Sequence, residues 1–305
     1  MGAVRIMVKL YSNLFCITSM ILWAASFPAK DILLKIWDPL FLYAFGLVIA
    51  SVITLVIWLV FEGTKEIKKF PWLQAIIIGG IGFGVGGCLF IFAQSLSGAV
   101  TVAIAAAFMP IFGTILEIIM DGRSVNIRFI AGVFISILGG LIMTLGAEGG
   151  GYNALGLLIA LPAVILFAWA SRQITKSLQE FSNLAQGSIS ILGAGLAVSI
   201  PYFSLNYGID MGEILTSLDI YQVLCILIFA ATGISISQVL WIKGVSQLGI
   251  ATASIHMNSA PFYVMLFVFL LGGLWVWVQF WSLILVVIGV LLTQIENKKH
   301  NKIIS

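Results

Sequence analysis

The chain has 305 residues, 61% of them hydrophobic and only 9% charged, with a net charge of +3. Soluble domains carry roughly 25% charge, so this composition excludes a globule built to live in water. It gives no basis for a nucleic-acid partner. Cys16, Cys88 and Cys225 stand inside apolar stretches, away from any metal-ligand spacing or disulfide framework.

A helix that crosses a bilayer needs about 20 apolar residues. The first such run, Leu10 to Pro28, follows Arg5 and Lys9 as a signal peptide would. It is read as a retained helix, because Trp23 and Lys30 return later as Trp169 and Lys176. In chain order the expected spans are 11–31, 38–61, 71–93, 97–119 and 128–147. They continue with 154–175, 184–205, 220–242, 250–270 and 275–295, and residues 296–305 form a polar cytoplasmic tail. The fold class expected is an all-α integral membrane protein of ten transmembrane helices.

The second five spans repeat the first. Pro110 answers to Pro261, Gly98 to Gly249, Thr101 to Thr252 and Gly82 to Gly233, each 151 residues later. An odd number of helices per copy turns the second copy over in the bilayer, and inverted repeats of this kind serve many secondary transporters. The two domains are thus 11–147 and 154–295, joined by the flexible stretch Gly149-Gly150-Gly151-Tyr152-Asn153. Lys and Arg gather in short cytoplasmic loops. One side of this threading receives thirteen of the fifteen, and the other only Lys30 and Lys35. Both termini are therefore expected in the cytoplasm, with the protein multi-pass in the plasma or inner membrane.

Each half ends in a related pattern. In the first, Phe92-Ala93 leads through Gly98-Ala99 to Pro110-Ile111-Phe112, Gly132 and Gly139-Gly140. In the second, Trp241 leads through Gly249-Ile250-Ala251 to Pro261-Phe262 and Gly289-Val290. With Leu22-Trp23-Ala24 and Gly156-Leu157-Leu158, the chain resembles the drug/metabolite transporter superfamily, in its ten-helix branch with two EamA-type repeats. The resemblance spans about residues 13 to 293 and implies transport of small metabolites across a membrane. It departs from the family after the fourth and ninth helices, where Asp121-Gly122-Arg123 and Gly272-Gly273 replace a frequent Glu.

Pro110 and Pro261 fall mid-span in equivalent helices, where a proline removes one hydrogen bond and kinks the chain. They are read either as static kinks or as paired hinges. The glycine run from Gly79 to Gly87 is read as a surface for close helix packing, since no strand precedes it to make a phosphate loop.

Polar residues present in one repeat alone are candidates for substrate contact. Thr252, His256, Ser259 and Tyr263 recur at helical spacing in the ninth span, with Asn258 beside them. Gln94 and Gln238 could orient a polar head or bridge helices, and Trp23, Tyr43 and Trp169 could form aromatic cavity walls. Glu117, an acidic residue within a span, is the candidate for proton coupling.

The expected function is secondary transport of a small organic metabolite such as an amino acid or amine, as export, by alternating access. Uptake and drug efflux are alternatives on the same fold. An intramembrane enzyme is the rival of another class, but His256 and His300 are the only histidines and form no ligand pair. A channel or lipid-handling protein is the third, and repeated pore-lining charge is missing. No metal and no cofactor is expected; the partners are a small-molecule substrate and the lipid bilayer.

Overall fold

The computed structural model describes residues 2–64, 69–122, 127–145 and 154–293. All regular structure among the described residues is helical. The first elements are α1 (Gly2–Leu33) and α2 (Pro39–Glu62). Asp38 caps α2, its carboxylate accepting from the Leu40 and Phe41 N–H groups. Pro39 then occupies the first turn, where its missing N–H leaves no bond unmade.

Next, α3 (Trp72–Gly79) widens into a π-helical turn, Gly80–Val85, and continues as α4 (Gly86–Ala106). After α5 (Met109–Asp121) and α6 (Ile127–Leu145) come α7 (Ala154–Ser177), α8 (Asn183–Leu205) and the short α9 (Met211–Ser217). A second π-helical segment, Ile228–Ile236, joins α10 (Ile220–Leu227) to α11 (Ser237–Leu248). The chain finishes with α12 (Ile250–Ala253), a 3-10 segment over Ser254–Ser259, α13 (Ala260–Leu270) and α14 (Trp277–Thr293).

Among the described residues, seven helical stretches are long and apolar enough to cross a membrane: Leu10–Leu33, Pro39–Glu62, Trp72–Ala106, Ala154–Ser177, Asn183–Leu205, Ile220–Leu248 and Ile250–Leu270. Two further apolar helices, Ile127–Gly139 and Trp277–Leu292, are shorter. The expected fifth and tenth spans are the two shorter helices, and the third and fourth count as one stretch, Trp72–Ala106, although its backbone breaks at Gly98, near their expected boundary. A further irregular turn lies at Ala107–Phe108, ahead of α5. The linker 149–153, the tail 296–305, Arg123 and His300 lie outside the described residues.

Pro110 and Pro261 each stand in the first turn of a helical segment, α5 and α13 respectively. A proline there costs no hydrogen bond and its fixed φ suits a helix start. The irregular backbone sits just upstream, at Ala107–Phe108 and at the 3-10 segment.

Two glycines set sharper breaks. Gly98 has φ 76 and ψ 170, and Gly249 has φ 77 and ψ 161. Side chains essentially forbid that region, so only glycine lets the chain change direction there. Elsewhere glycine serves close approach: a Cβ on Gly82 would overlap that of Ala170, and one on Gly79 would strike the Ser190 backbone. In lipid, where helices gain little from excluding water, such contact is a main source of association.

The interhelical contacts pair residues before and after the central linker. α4 packs on α7 and α1 on α11, while α2 meets α8 and α6 meets α14.

Candidate functional site

Between these paired helices lies a partly open cavity of about 70 Å³. From α1 it takes Trp23, Ser26 and Lys30, which follow one another at intervals of three and four and so share a face. α2 contributes Tyr43 and Leu47, and α7 contributes Phe167. Both π-helical turns border it, through Phe83 on one side and Phe229, Gly233 and Ile234 on the other. A π-turn adds a residue to the helical repeat and is frequent at functional sites. Here it turns these residues toward the space.

Aromatic rings dominate the walls. Trp23 and Phe90 stand 5.7 Å apart, Phe90 and Phe167 5.7 Å, and Phe83 and Phe167 5.3 Å, in tilted or edge-on pairs. These contacts fix the rings rather than leaving them loose. Below Trp23, Phe90 and Phe167 a smaller crevice reaches Met109 and Met257. The aromatic layer thus separates the main cavity from the α5 and α12 side.

Lys30 is the charged residue of the lining, and only 6% of its surface is exposed. Its ammonium lies 3.8 Å from the Phe27 ring centroid and 5.8 Å from that of Phe229. Among the described residues it has no hydrogen-bond acceptor and no carboxylate at ion-pair distance. Cation–π contact returns about 2 kcal/mol when desolvated, against a desolvation cost of several kcal/mol. Asp31, its neighbour in sequence, acts on it only from longer range. That carboxylate instead accepts from Gln94 Nε2 at 2.8 Å and from the Ala99 N–H. Ala99 follows the Gly98 break, so Asp31 caps a helix restart.

A similar contact joins the two halves. Glu117 on α5 accepts from the Ala251 N–H at 3.2 Å, at the start of α12 just after Gly249. Nearby, Asp121 closes α5 against α7. Its Oδ1 receives Arg172 Nη2 at 2.6 Å and Lys176 Nζ at 2.8 Å, and Oδ2 receives Arg172 Nε at 3.3 Å. Hydrogen bonds from Arg172 and then Lys176 hold the Asp121 carboxyl below the ordinary carboxylate range.

Residues 10–145 match the model of the EamA-like transporter family. Over those residues the chain is similar to that family, in agreement with the drug/metabolite transporter resemblance read from the sequence. No curated protein matches the chain. Among solved structures, one described only as a crystal structure of a protein is similar at 15% identity and a TM-score of 0.67. It covers 93% of this chain and 96% of its own, which shows a shared fold along nearly the whole length.

Within the EamA-like segment, Trp23 and Tyr43 line the cavity, as does Gln238 from α11. Tyr43 donates to the Phe83 carbonyl at 2.6 Å, which ties α2 to the π-turn. Gln94 does not line the cavity; its amide bridges the Phe27 carbonyl and Asp31. Trp169 lies off it too, and the neighbouring Phe167 takes that place. Trp241 is buried and donates to Ser171 Oγ at 2.9 Å.

Of the expected polar face of the ninth span, His256, Asn258 and Ser259 fall in the 3-10 segment, where residues three apart share a face. Thr252 is exposed, and His256 Nε2 pairs with Asn13 Oδ1 of α1 at 2.8 Å. Ser259 donates to the His256 carbonyl at 2.7 Å, and Tyr263 is half-buried. None of the five lines the cavity, although Asn258 is buried with neither amide atom hydrogen-bonded.

The residue missed in the sequence is Lys30, counted there only among the charges of the outer side. Its position in the last turn of α1 resembles an interfacial anchor. The available signal was the spacing Trp23, Ser26, Lys30, one face with a cation at its end.

Proposed function

We propose that this protein is a secondary transporter that carries a small organic metabolite across the cytoplasmic membrane by alternating access. Ten helices act in two inverted five-helix repeats, 11–147 and 154–295, with both termini in the cytoplasm. Matching local geometry supports the repeat: the Gly98 and Gly249 breaks agree within ten degrees, and a π-turn precedes each. The contact pattern has the same symmetry, since exchanging the two halves turns the α4–α7 pair into the α11–α1 pair.

The observation that carries the reading is the aromatic cavity lined from both sides of the linker. A solute bound there touches both halves, so its binding energy can favour one arrangement of them over another. The Asp121–Arg172–Lys176 cluster and the Glu117–Ala251 contact form the closure on the side assigned to the cytoplasm. Glu117 is the group proposed to carry a proton as access alternates.

Reconstitution into proteoliposomes of known sidedness tests the proposal. A saturable solute flux that the empty membrane lacks is expected, and its gradient dependence gives direction and coupling. Flux that never saturates and grows with membrane potential alone indicates a channel instead.

A further inference from the structure

Resting on the carrier reading, we infer that the cavity takes an organic monocarboxylate: the carboxylate at Lys30, an aromatic or branched apolar body against the rings. Among the described residues, two donors in the lining make no hydrogen bond. One is the Lys30 ammonium, which meets the Phe27 and Phe229 rings instead, and the other is the buried Gln238 Nε2. The remaining hydroxyls already donate elsewhere, Ser26 to the Trp23 carbonyl and Tyr43 to the Phe83 carbonyl, both at 2.6 Å. What the site lacks is acceptors from a ligand.

No acidic side chain lines the cavity, and the closest in sequence, Asp31, is engaged by Gln94 and Ala99. An organic amine would therefore meet a like charge that Asp31 offsets only from longer range. A zwitterion would satisfy Lys30 at one end and leave its own ammonium without a charged partner. A monoanion meets both donors and needs nothing in return. The walls select the rest of the molecule, because Trp23, Phe83, Phe90, Phe167 and Phe229 offer ring faces and edges to a flat or bulky apolar group. Lys30 and Phe229 come from different halves, so a ligand bridging them would sense their relative movement.

Calorimetry on the purified full chain in lipid nanodiscs tests this with three probes of one skeleton: 3-phenylpropionate, 3-phenylpropylamine and L-phenylalanine. The acid is expected to bind at least tenfold more tightly than the amine, with the zwitterion between them. Lys30→Met should weaken the acid at least tenfold, and Gln238→Leu by a few-fold. In the unliganded protein Lys30→Met should keep or raise the melting temperature, because it replaces an unpaired buried charge with a similar apolar side chain. A structural lysine would instead melt earlier when replaced. Lys30→Gln gives the same reading should the Met variant fail to fold. Equal binding of amine and acid, unchanged acid affinity in the Lys30 variants, or no acid binding at millimolar concentration overturns the inference. Lys30-dependent binding without flux in proteoliposomes would sink the carrier reading and leave this site standing; saturable amine flux without acid binding would do the reverse.

Discussion

The Glu117 carboxylate on α5 accepts the Ala251 N–H at 3.2 Å, joining the first half to the helix that restarts after Gly249. A helix start carries unsatisfied N–H groups and a partial positive charge, so this contact acts as a cap delivered from another element. Glu117→Ala should lower stability by about 1 kcal/mol, the usual loss of a cap, and Glu117→Gln by less because its amide oxygen still accepts. Thermal unfolding in detergent measures both. In vesicles Glu117→Gln should abolish the response of transport to a pH gradient, and a response that survives removes Glu117 from coupling.

Asp121 gives the closure a pH dependence of defined sign. Arg172 and Lys176 lower its folded value relative to the unfolded chain. The stabilisation is therefore complete above the unfolded carboxylate value of about 4 and disappears as pH falls through the folded value. Melting curves of the native protein and Asp121→Asn should be well separated at neutral pH and converge in acid. The separation comes largely from Arg172, whose side chain is 7% exposed and would lose its counter-charge. Curves that stay parallel down to pH 3 would show that the pair contributes nothing to folding.

Gly98→Ala and Gly249→Ala should each cost about 1–3 kcal/mol, the strain of a side chain in that backbone region. Crowding plays no part, since a Cβ at either position meets nothing within 4 Å. Equal losses at the two sites, read by unfolding, would match their near-identical dihedrals. A loss at neither site would mean that the breaks are not required.

His256→Ala should break the bond to Asn13 and leave the affinity of the cavity for 3-phenylpropionate within about twofold, a change below roughly 0.4 kcal/mol. A stability loss of about 1 kcal/mol is expected from the missing hydrogen bond. Titration of the variant beside the native protein decides the matter: a tenfold weaker affinity would return His256 to the ligand site.

The apolar runs were legible because a bilayer imposes their length on the chain directly. Gly98 with Gly249, and Pro110 with Pro261, were equally legible as recurring pairs, because repeated backbone geometry needs the same residues twice. What each proline did was not legible. Whether it kinks a helix or opens one depends on where the preceding turn ends, and that is set by packing at Ala107–Phe108 and Ser254–Ser259.

The site divides along the same line. Aromatic positions such as Trp23 and Tyr43 could be proposed from residue type alone, and both line the cavity. His256 could not be separated from Asn13 by any local pattern, since 243 residues lie between them. Chain order and hydropathy by themselves determined that this protein is helical and apolar enough for lipid. Only the tertiary structure decided that Lys30, at the end of α1, is enclosed by the Phe27 and Phe229 rings. The physical reason is that a helix's own sequence fixes its periodicity, while the burial of one side chain depends on which distant helices close around it.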